Sequence, residues 1–247
     1  MHRFYVAPEN WNPDALALRD SEAHHARDVL RMKRGDRAVL FNGQGREITA
    51  EIVDLAKGEV RLRKLHEAQT RPLRCRITLG QAIPKGKNME LIVQKAVEIG
   101  AAEIVPLISE RTIVDLDKKE AEQKREKWQQ IVIEAAKQCG QNWLPQVHTP
   151  RKLKDFFLHS GNFDLRLIGS LQPDAIHLKK ILGDYVEQHR DRPRSVLMMV
   201  GPEGDFTPAE QALAKSHGCR PITLGPVILR VETAAIYCLS VLSYELM

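Results

Sequence analysis

The residues best suited to chemistry lie near the C-terminal end, inside two Gly-Pro stretches. Glu203 sits in Val200-Gly201-Pro202-Glu203-Gly204-Asp205-Phe206. Arg230 and Glu232 sit in Leu224-Gly225-Pro226-Val227-Ile228-Leu229-Arg230-Val231-Glu232-Thr233-Ala234. A carboxylate within reach of a departing proton can act as a general base. A guanidinium, charged at every working pH, can hold an anion. Neither stretch is a Walker A sequence, and neither has the spacing of a dinucleotide fingerprint. A nucleoside triphosphate or nicotinamide cofactor is therefore not favoured.

These loops need elements to hold them. Ser195 to Val200 is an unbroken apolar run, the pattern of a strand covered on both faces. Thr207-Pro208-Ala209-Glu210 reads as a capping box, with Thr207 as N-cap, Pro208 at the first helical position and Glu210 reaching back. Glycine lets the backbone turn with positive φ and lets a ligand come close. Ligands of open α/β sheets bind beyond the carboxyl ends of strands, so two such loops imply one ligand held between them. An ordinary strand-helix turn is the competing reading of either loop taken singly. Leu165 to Gly169 is a further strand, and its end at Ser170-Leu171 would be a third lining loop.

The remainder of the second half alternates strands with helices, as a mostly parallel α/β sheet requires. Ile77 to Ile83 reads as a strand. The basic loop Pro84-Lys85-Gly86-Lys87-Asn88 leads into a helix with Met89, Ile92, Val93, Ala96 and Val97 on one face, closing at Gly100. Ile104 to Ile108 is the next strand. A long helix carries Trp128, Ile131, Val132, Ala135, Ala136 and Cys139 along one stripe, and a solvated charged face from Lys118 to Lys127. The last helix, Glu232 to Leu246, is apolar nearly all round. Such a helix needs cover on two sides, which points to a homodimer.

Residues 1–71 read as a small domain ending at the linker Gln69-Thr70-Arg71-Pro72. Ser21 is the expected cap of a helix containing Ala26, Val29 and Leu30, with Gly35 beyond it. Strands follow at Ala38–Phe41, Glu47–Val53 and Glu59–Leu65, separated by Asn42-Gly43-Gln44-Gly45 and Lys57-Gly58. Short strands with one helix suggest a compact β-barrel. Arg3, Arg27, Arg31 and Lys33 are among its dense basic residues. They form a phosphate-binding patch if they share a face, and a solvated surface if they do not. His24-His25 has no suitably spaced partner for a metal.

The whole chain has 247 residues and a formal net charge of +5, with a sequence pI of about 9.0. That balance suits a polyanionic partner. No apolar run is long enough to cross a bilayer, and the N-terminus lacks a signal-peptide core; a cytoplasmic location is expected. Cys75, Cys139, Cys219 and Cys238 are scattered and form no metal-ligand spacing, so they read as reduced structural thiols.

The two Gly-Pro stretches resemble those of the knotted SPOUT methyltransferases, and within them the ribosomal RNA small-subunit uridine N3-methyltransferase family. That family typically reads Gly-Pro-Glu-Gly-Gly, then Leu-Gly-Pro-Arg-Ile-Leu-Arg-Thr-Glu-Thr-Ala. This chain departs at Asp205, Val227 and Val231, and it has Gln141 where the family usually has Arg. His24-His25-Ala26-Arg27-Asp28-Val29-Leu30-Arg31-Met32 resembles the family's N-terminal segment, and the resemblance covers nearly the whole chain. It implies a PUA-like RNA-binding β-barrel in residues 1–71 and a SPOUT α/β domain with a trefoil knot in residues 73–247. It further implies a homodimer that methylates N3 of a uridine in 16S ribosomal RNA of the small subunit, using S-adenosylmethionine.

On that resemblance the cofactor is expected against Leu171, Val200, Gly201, Glu203, Gly204, Leu224, Gly225, Ile228, Leu229, Thr233 and Ala234. RNA is expected against Arg3, His25, Arg27, Arg31, Lys33, Lys85 and Lys87, with no metal and no membrane. A uridine N3 carries a proton that must leave, so Arg230, Glu232 and Glu203 are the candidate catalytic residues. A first-turn helix charge explains Glu232 equally well. A 2′-O-ribose methyltransferase of the same superfamily, a non-catalytic ribosome-binding protein and a small-molecule α/β enzyme are the rival readings. The N-terminal domain and the Leu-Arg-Val-Glu-Thr-Ala loop argue against the first, and the basic N-terminal domain against the last.

Overall fold

The computed structural model describes residues 1–112 and 116–247. The chain divides into two units. The first comprises Met1–Pro72 with Ile133–Leu144, and the second Leu73–Val132 with Pro145–Met247.

In the first unit, β1 (His2–Tyr5), β2 (Ala17–Arg19), β3 (Arg37–Phe41), β4 (Arg46–Ala56) and β5 (Glu59–Gln69) form a five-stranded sheet in the order β1-β3-β4-β5-β2. β1 runs parallel to β3, and the other pairs are antiparallel. The end strands are not paired with each other among the described residues, so the expected barrel is a curled half-barrel. Strand alternation points Leu40, Ile48, Ile52 and Val60 inward, where Phe4 and Leu18 complete the core. Gly58 turns the β4–β5 hairpin at φ 85, the left-handed conformation that Lys57-Gly58 advertises.

The expected helix is different. α1 spans only Asp20–His24, so Ser21 lies inside it and caps nothing. A π-helical turn follows at His25–Val29, where Ala26 is buried and Val29 is exposed. The wider turn rotates the side chains away from the 3.6-residue period on which Val29 was placed inward. β1 and β2 were not anticipated; at four and three residues, they are too short to display alternation.

In the second unit the strands are β6 (Arg76–Ala82), β7 (Glu103–Ile108), β8 (Gln146–Val147), β9 (Arg151–Lys152), β10 (Leu165–Gly169), β11 (Ile176–His177), β12 (Ser195–Val200) and β13 (Arg220–Thr223). Their order is β11-β13-β10-β12-β6-β7-β8, with β9 also on β7, and every pair is parallel. The helices are α2 (Asn88–Ile99), α3 (Lys118–Cys139), α4 (Leu153–His159), α5 (Leu178–His189), α6 (Pro208–Ser216) and α7 (Val231–Leu246). α2 buries the five residues its periodicity marked and stops at Gly100, φ 92. Among the described residues, no helix is long and apolar enough to cross a membrane.

One helix departs from expectation. The α3 stripe ends at Ala136, and Cys139 is exposed. α7 keeps one face exposed within the single chain. It buries Val231, Ala234, Ala235, Cys238, Leu239, Leu242 and Leu246, while Tyr237 and Tyr244 face outward, Tyr244 at 85% exposure. Its phenolic and hydroxyl groups supply a second, mixed face that a count of apolar letters hides. Burial pushes the Cys75 thiol up to about 11 and those of Cys219 and Cys238 up to about 12. These three therefore stay protonated and inert at neutral pH.

Candidate functional site

Parallel strands finish on one edge, and β13, β10, β12 and β6 are neighbours. Their carboxyl-terminal loops therefore meet. The crevice there has a volume of about 850 Å³, within the range of small-molecule sites. Its walls come from Gly169 to Pro173 after β10, Val200 to Glu203 and Asp205 after β12, and Thr223 to Glu232 after β13. Asn88, the first residue of α2, closes another side.

The loop after β12 is pinned from several directions. Oε1 of Glu203 accepts a hydrogen bond from the Lys85 backbone N–H (2.9 Å). The Arg111 guanidinium donates to the Gly204 carbonyl. Asp205, where the resemblance leads one to expect glycine, adopts φ 60; aspartate is among the few residues that tolerate this conformation. Its carboxylate accepts from the Phe206 N–H (2.7 Å) and more distantly from the Leu171 N–H (3.5 Å), so it links two of the lining loops. The capping box is present as expected. Thr207 Oγ1 accepts from the Glu210 N–H (3.3 Å), and Glu210 Oε2 accepts from the Thr207 N–H (2.9 Å).

The three ionisable candidates come together at the crevice. Arg230 occupies the N-cap position of α7 without capping it. Its side chain is exposed and makes no hydrogen bond or ion pair among the described residues. Glu232, in the first turn of α7, accepts from Asn88 Nδ2 (3.2 Å).

Of the residues expected around a cofactor, Leu171, Val200, Gly201, Glu203, Leu224, Gly225, Ile228, Leu229 and Ala234 line the crevice. Gly204 and Thr233 do not. A Cβ on Gly204 would meet Arg111 at 3.2 Å, whereas Gly225, at φ 117, has nothing within 4 Å. Gly204 thus lies against the Arg111 side chain, while at Gly225 the positive φ, and not a neighbouring atom, favours glycine. Thr233 lies on the outward side of α7, next to rather than on the face that bears Ala234.

The basic residues sort by what they already hold. Arg3 is bound to Glu47 and Asn142 inside the first unit, so it is structural there rather than open to a phosphate. His25 packs edge-on to Phe4, with ring centroids 6.2 Å apart. Arg27 is paired with Asp28 (2.8 Å). Arg31 and Lys33 are exposed, and their side chains make no hydrogen bond or ion pair among the described residues; Arg34 and Arg37 are alike. Lys85 and Lys87 are exposed on the loop before α2. Among the described residues, no group of three or more His, Cys, Asp or Glu residues could hold a metal ion. Sequence reasoning missed Asn88, Arg111 and the bridging role of Asp205. No local pattern marks them, because each acts on a loop distant in the chain.

Comparison with known proteins agrees with this geometry. Residues 71–243 match the RNA methyltransferase domain family, and residues 18–65 match the RNA methyltransferase PUA domain family. Relatives named ribosomal RNA small subunit methyltransferase E include one from Synechocystis at 34% identity, covering 94% of this chain and 74% of the relative. One from Bacillus subtilis is 32% identical, covering 93% and 90%. A methyltransferase from Legionella pneumophila, solved with the cofactor SAM bound, superposes with a TM-score of 0.87 at 36% identity, covering 98% of this chain and 97% of that one. A ribosomal RNA small subunit methyltransferase E from Neisseria gonorrhoeae, bound to S-adenosyl methionine, gives 0.86 at 33% identity, with 99% and 98% covered.

Glu210 offers a stability test of the site's framework. It is buried, and besides the cap its Oε1 accepts from the Glu110 N–H (2.9 Å), tying the end of β7 to α6. Glu210→Ala strands two backbone donors and is expected to cost about 2–3 kcal/mol. Thr207→Ala, which loses the cap alone, should cost about 1 kcal/mol. Urea unfolding measures both; equal losses would mean that the Glu110 bond contributes nothing.

Proposed function

We propose, from the premise that this chain belongs to the ribosomal RNA small subunit methyltransferase E family, a reading of what its crevice binds and does. The protein is an S-adenosylmethionine-dependent methyltransferase of 16S ribosomal RNA. The finer assignment is our own: the methyl acceptor is N3 of a uridine. The observation that carries it is the meeting of Arg230, Glu232 and Glu203 at the mouth of one apolar-walled crevice. A ribose hydroxyl or an exocyclic amine would have less use for an arginine that has no partner among the described residues.

The crevice suits the cofactor. Leu171, Val200, Leu224 and Ile228 supply apolar walls, and the Gly201 and Gly225 loops line the crevice, with open space beside Gly225. Bound there, S-adenosylmethionine supplies an already activated methyl group, so the chain must chiefly position the acceptor and manage one proton. Glu232, oriented by Asn88, accepts the N3 proton, with Glu203 as the competing base. Arg230 stabilises the negative charge that spreads onto the uracil oxygens as that proton leaves. Water is kept out by the exposed side chains of Val227 and Ile228, at 66% and 81%, once the RNA covers them.

RNA is held by phosphate contacts from Arg31, Lys33, Arg34 and Arg37 in the PUA-like unit, and from Lys85 and Lys87 on the loop before α2. Arg3 and Arg27 are committed within the chain and leave this set. The outward face of α7, with Tyr237 and Tyr244, forms the surface on which a second copy docks. The trefoil knot rests on the family, and its support is a last helix that returns beside β6 and β12. The small ribosomal subunit, and with it the cytoplasm, is the setting of the reaction.

Nucleoside mass spectrometry of 16S ribosomal RNA, from cells with and without the protein, tests the acceptor. N3-methyluridine should disappear when the protein is absent. Loss of a 2′-O-methyl nucleoside instead would overturn the assignment and favour the ribose reading.

Single-turnover methylation of intact small subunits tests the roles. Arg230→Ala should slow the step by about 100-fold or more while calorimetric affinity for S-adenosylmethionine stays within about twofold. Equal losses of rate and affinity would make Arg230 a cofactor ligand instead. In the same assay, Arg31→Glu with Lys33→Glu should weaken RNA binding and reduce its salt dependence without touching cofactor affinity.

Light scattering should give about twice the chain mass of 28.0 kDa at micromolar concentration. A monomer mass would remove the dimer and return the α7 face to solvent.

A further inference from the structure

The loop that leads into α2 does more than carry lysines. From one turn of chain it reaches two carboxylates at the crevice. The Lys85 backbone N–H holds Glu203, and the Asn88 side chain holds Glu232. Asparagine at a helix start ordinarily bonds to its own backbone, the local option that makes it a good cap. Here the N-cap is Lys87, and α2 receives no side-chain cap at all. Asn88 forgoes the local bond for one that spans 144 residues of sequence.

We propose that Asn88 is a positioning residue for Glu232, fixing the direction from which its carboxylate meets the target base. The chemistry of the pair sets the orientation. An ionised carboxylate only accepts, so the amide must present Nδ2 to Glu232 and turn Oδ1 away. The bond leaves the second Glu232 oxygen available, since Oε2 alone is engaged. It also joins the first turns of α2 and α7, which pack side by side. Glu232 is thus held from a rigid element rather than from the exposed 224–230 loop beside it. Aspartate in place of Asn88 would oppose two carboxylates, and alanine would leave Glu232 free to rotate.

This inference rests on the reading of Glu232 as the proton acceptor, and a double-mutant cycle separates the two. Single-turnover methylation of small subunits is measured for Asn88→Ala, Glu232→Gln and the double variant, with S-adenosylmethionine binding followed by calorimetry. Asn88→Ala should slow methylation by about 10-fold with cofactor affinity within about twofold, and Asn88→Gln, which keeps the donor, should recover part of the rate. In the Glu232→Gln background, Asn88→Ala should add nothing.

The inference is overturned if Asn88→Ala runs at the wild-type rate while Glu232→Gln is slow. It is equally overturned if the two losses multiply, for Asn88 would then act independently of Glu232. If Glu232→Gln itself runs at the wild-type rate, the reading of Glu232 as base falls, and the positioning role falls with it.

Discussion

Adjacent parallel strands must end on the same edge, and this constraint governs the second unit. Because β13, β10, β12 and β6 lie side by side, loops separated by more than a hundred residues of sequence are delivered to one crevice. These strands are largely buried, and their few polar side chains, such as Thr78 and Gln81 of β6, lie in the interior. The chemistry is therefore displaced into the loops, where glycine and proline shape the turns and the ionisable residues can face open space. An antiparallel sheet would have sent alternate loops to opposite edges and split the set.

Loops brought together still need holding. Side chains that bond to backbone atoms of a different loop perform that task. Glu203 binds the Lys85 N–H, Glu210 the Glu110 N–H and Asp205 the Phe206 and Leu171 N–H groups. Each bond satisfies a donor that the end of a strand or helix leaves open. The carboxylates around the crevice are thereby divided between framework and chemistry. Glu210 is buried in the framework, while Glu203 and Glu232 are tied at one oxygen and reach the crevice.

Positive charge is divided in the same way. The chain is basic overall, yet Arg3 and Arg27 are engaged by Glu47 and Asp28 within the first unit. Within the first unit, Arg31, Lys33, Arg34 and Arg37, just before and at the start of β3, are exposed and unpaired among the described residues. A net charge sets the sign of the partner, and only the ion-pair geometry says which residues meet it.

The elements legible in the sequence were those whose cause is local. The apolar strands at Ser195–Val200 and Leu165–Gly169, the face of α2 with its Gly100 stop, and the Thr207 capping box all appear where pattern put them. Their determinants lie within a few residues of one another, so the letters suffice. The loops likewise marked most of the crevice, because two Gly-Pro turns occur together where one alone would read as an ordinary strand-helix turn. The helix near Ser21 was misread because a π turn breaks the period on which it was judged. Tertiary structure alone decided that Gly204 lies against Arg111, that Arg3 is bound to Asn142, and that Asn88 reaches Glu232. In each case the partner is remote in the chain, and proximity between remote residues exists only once the sheet has assembled.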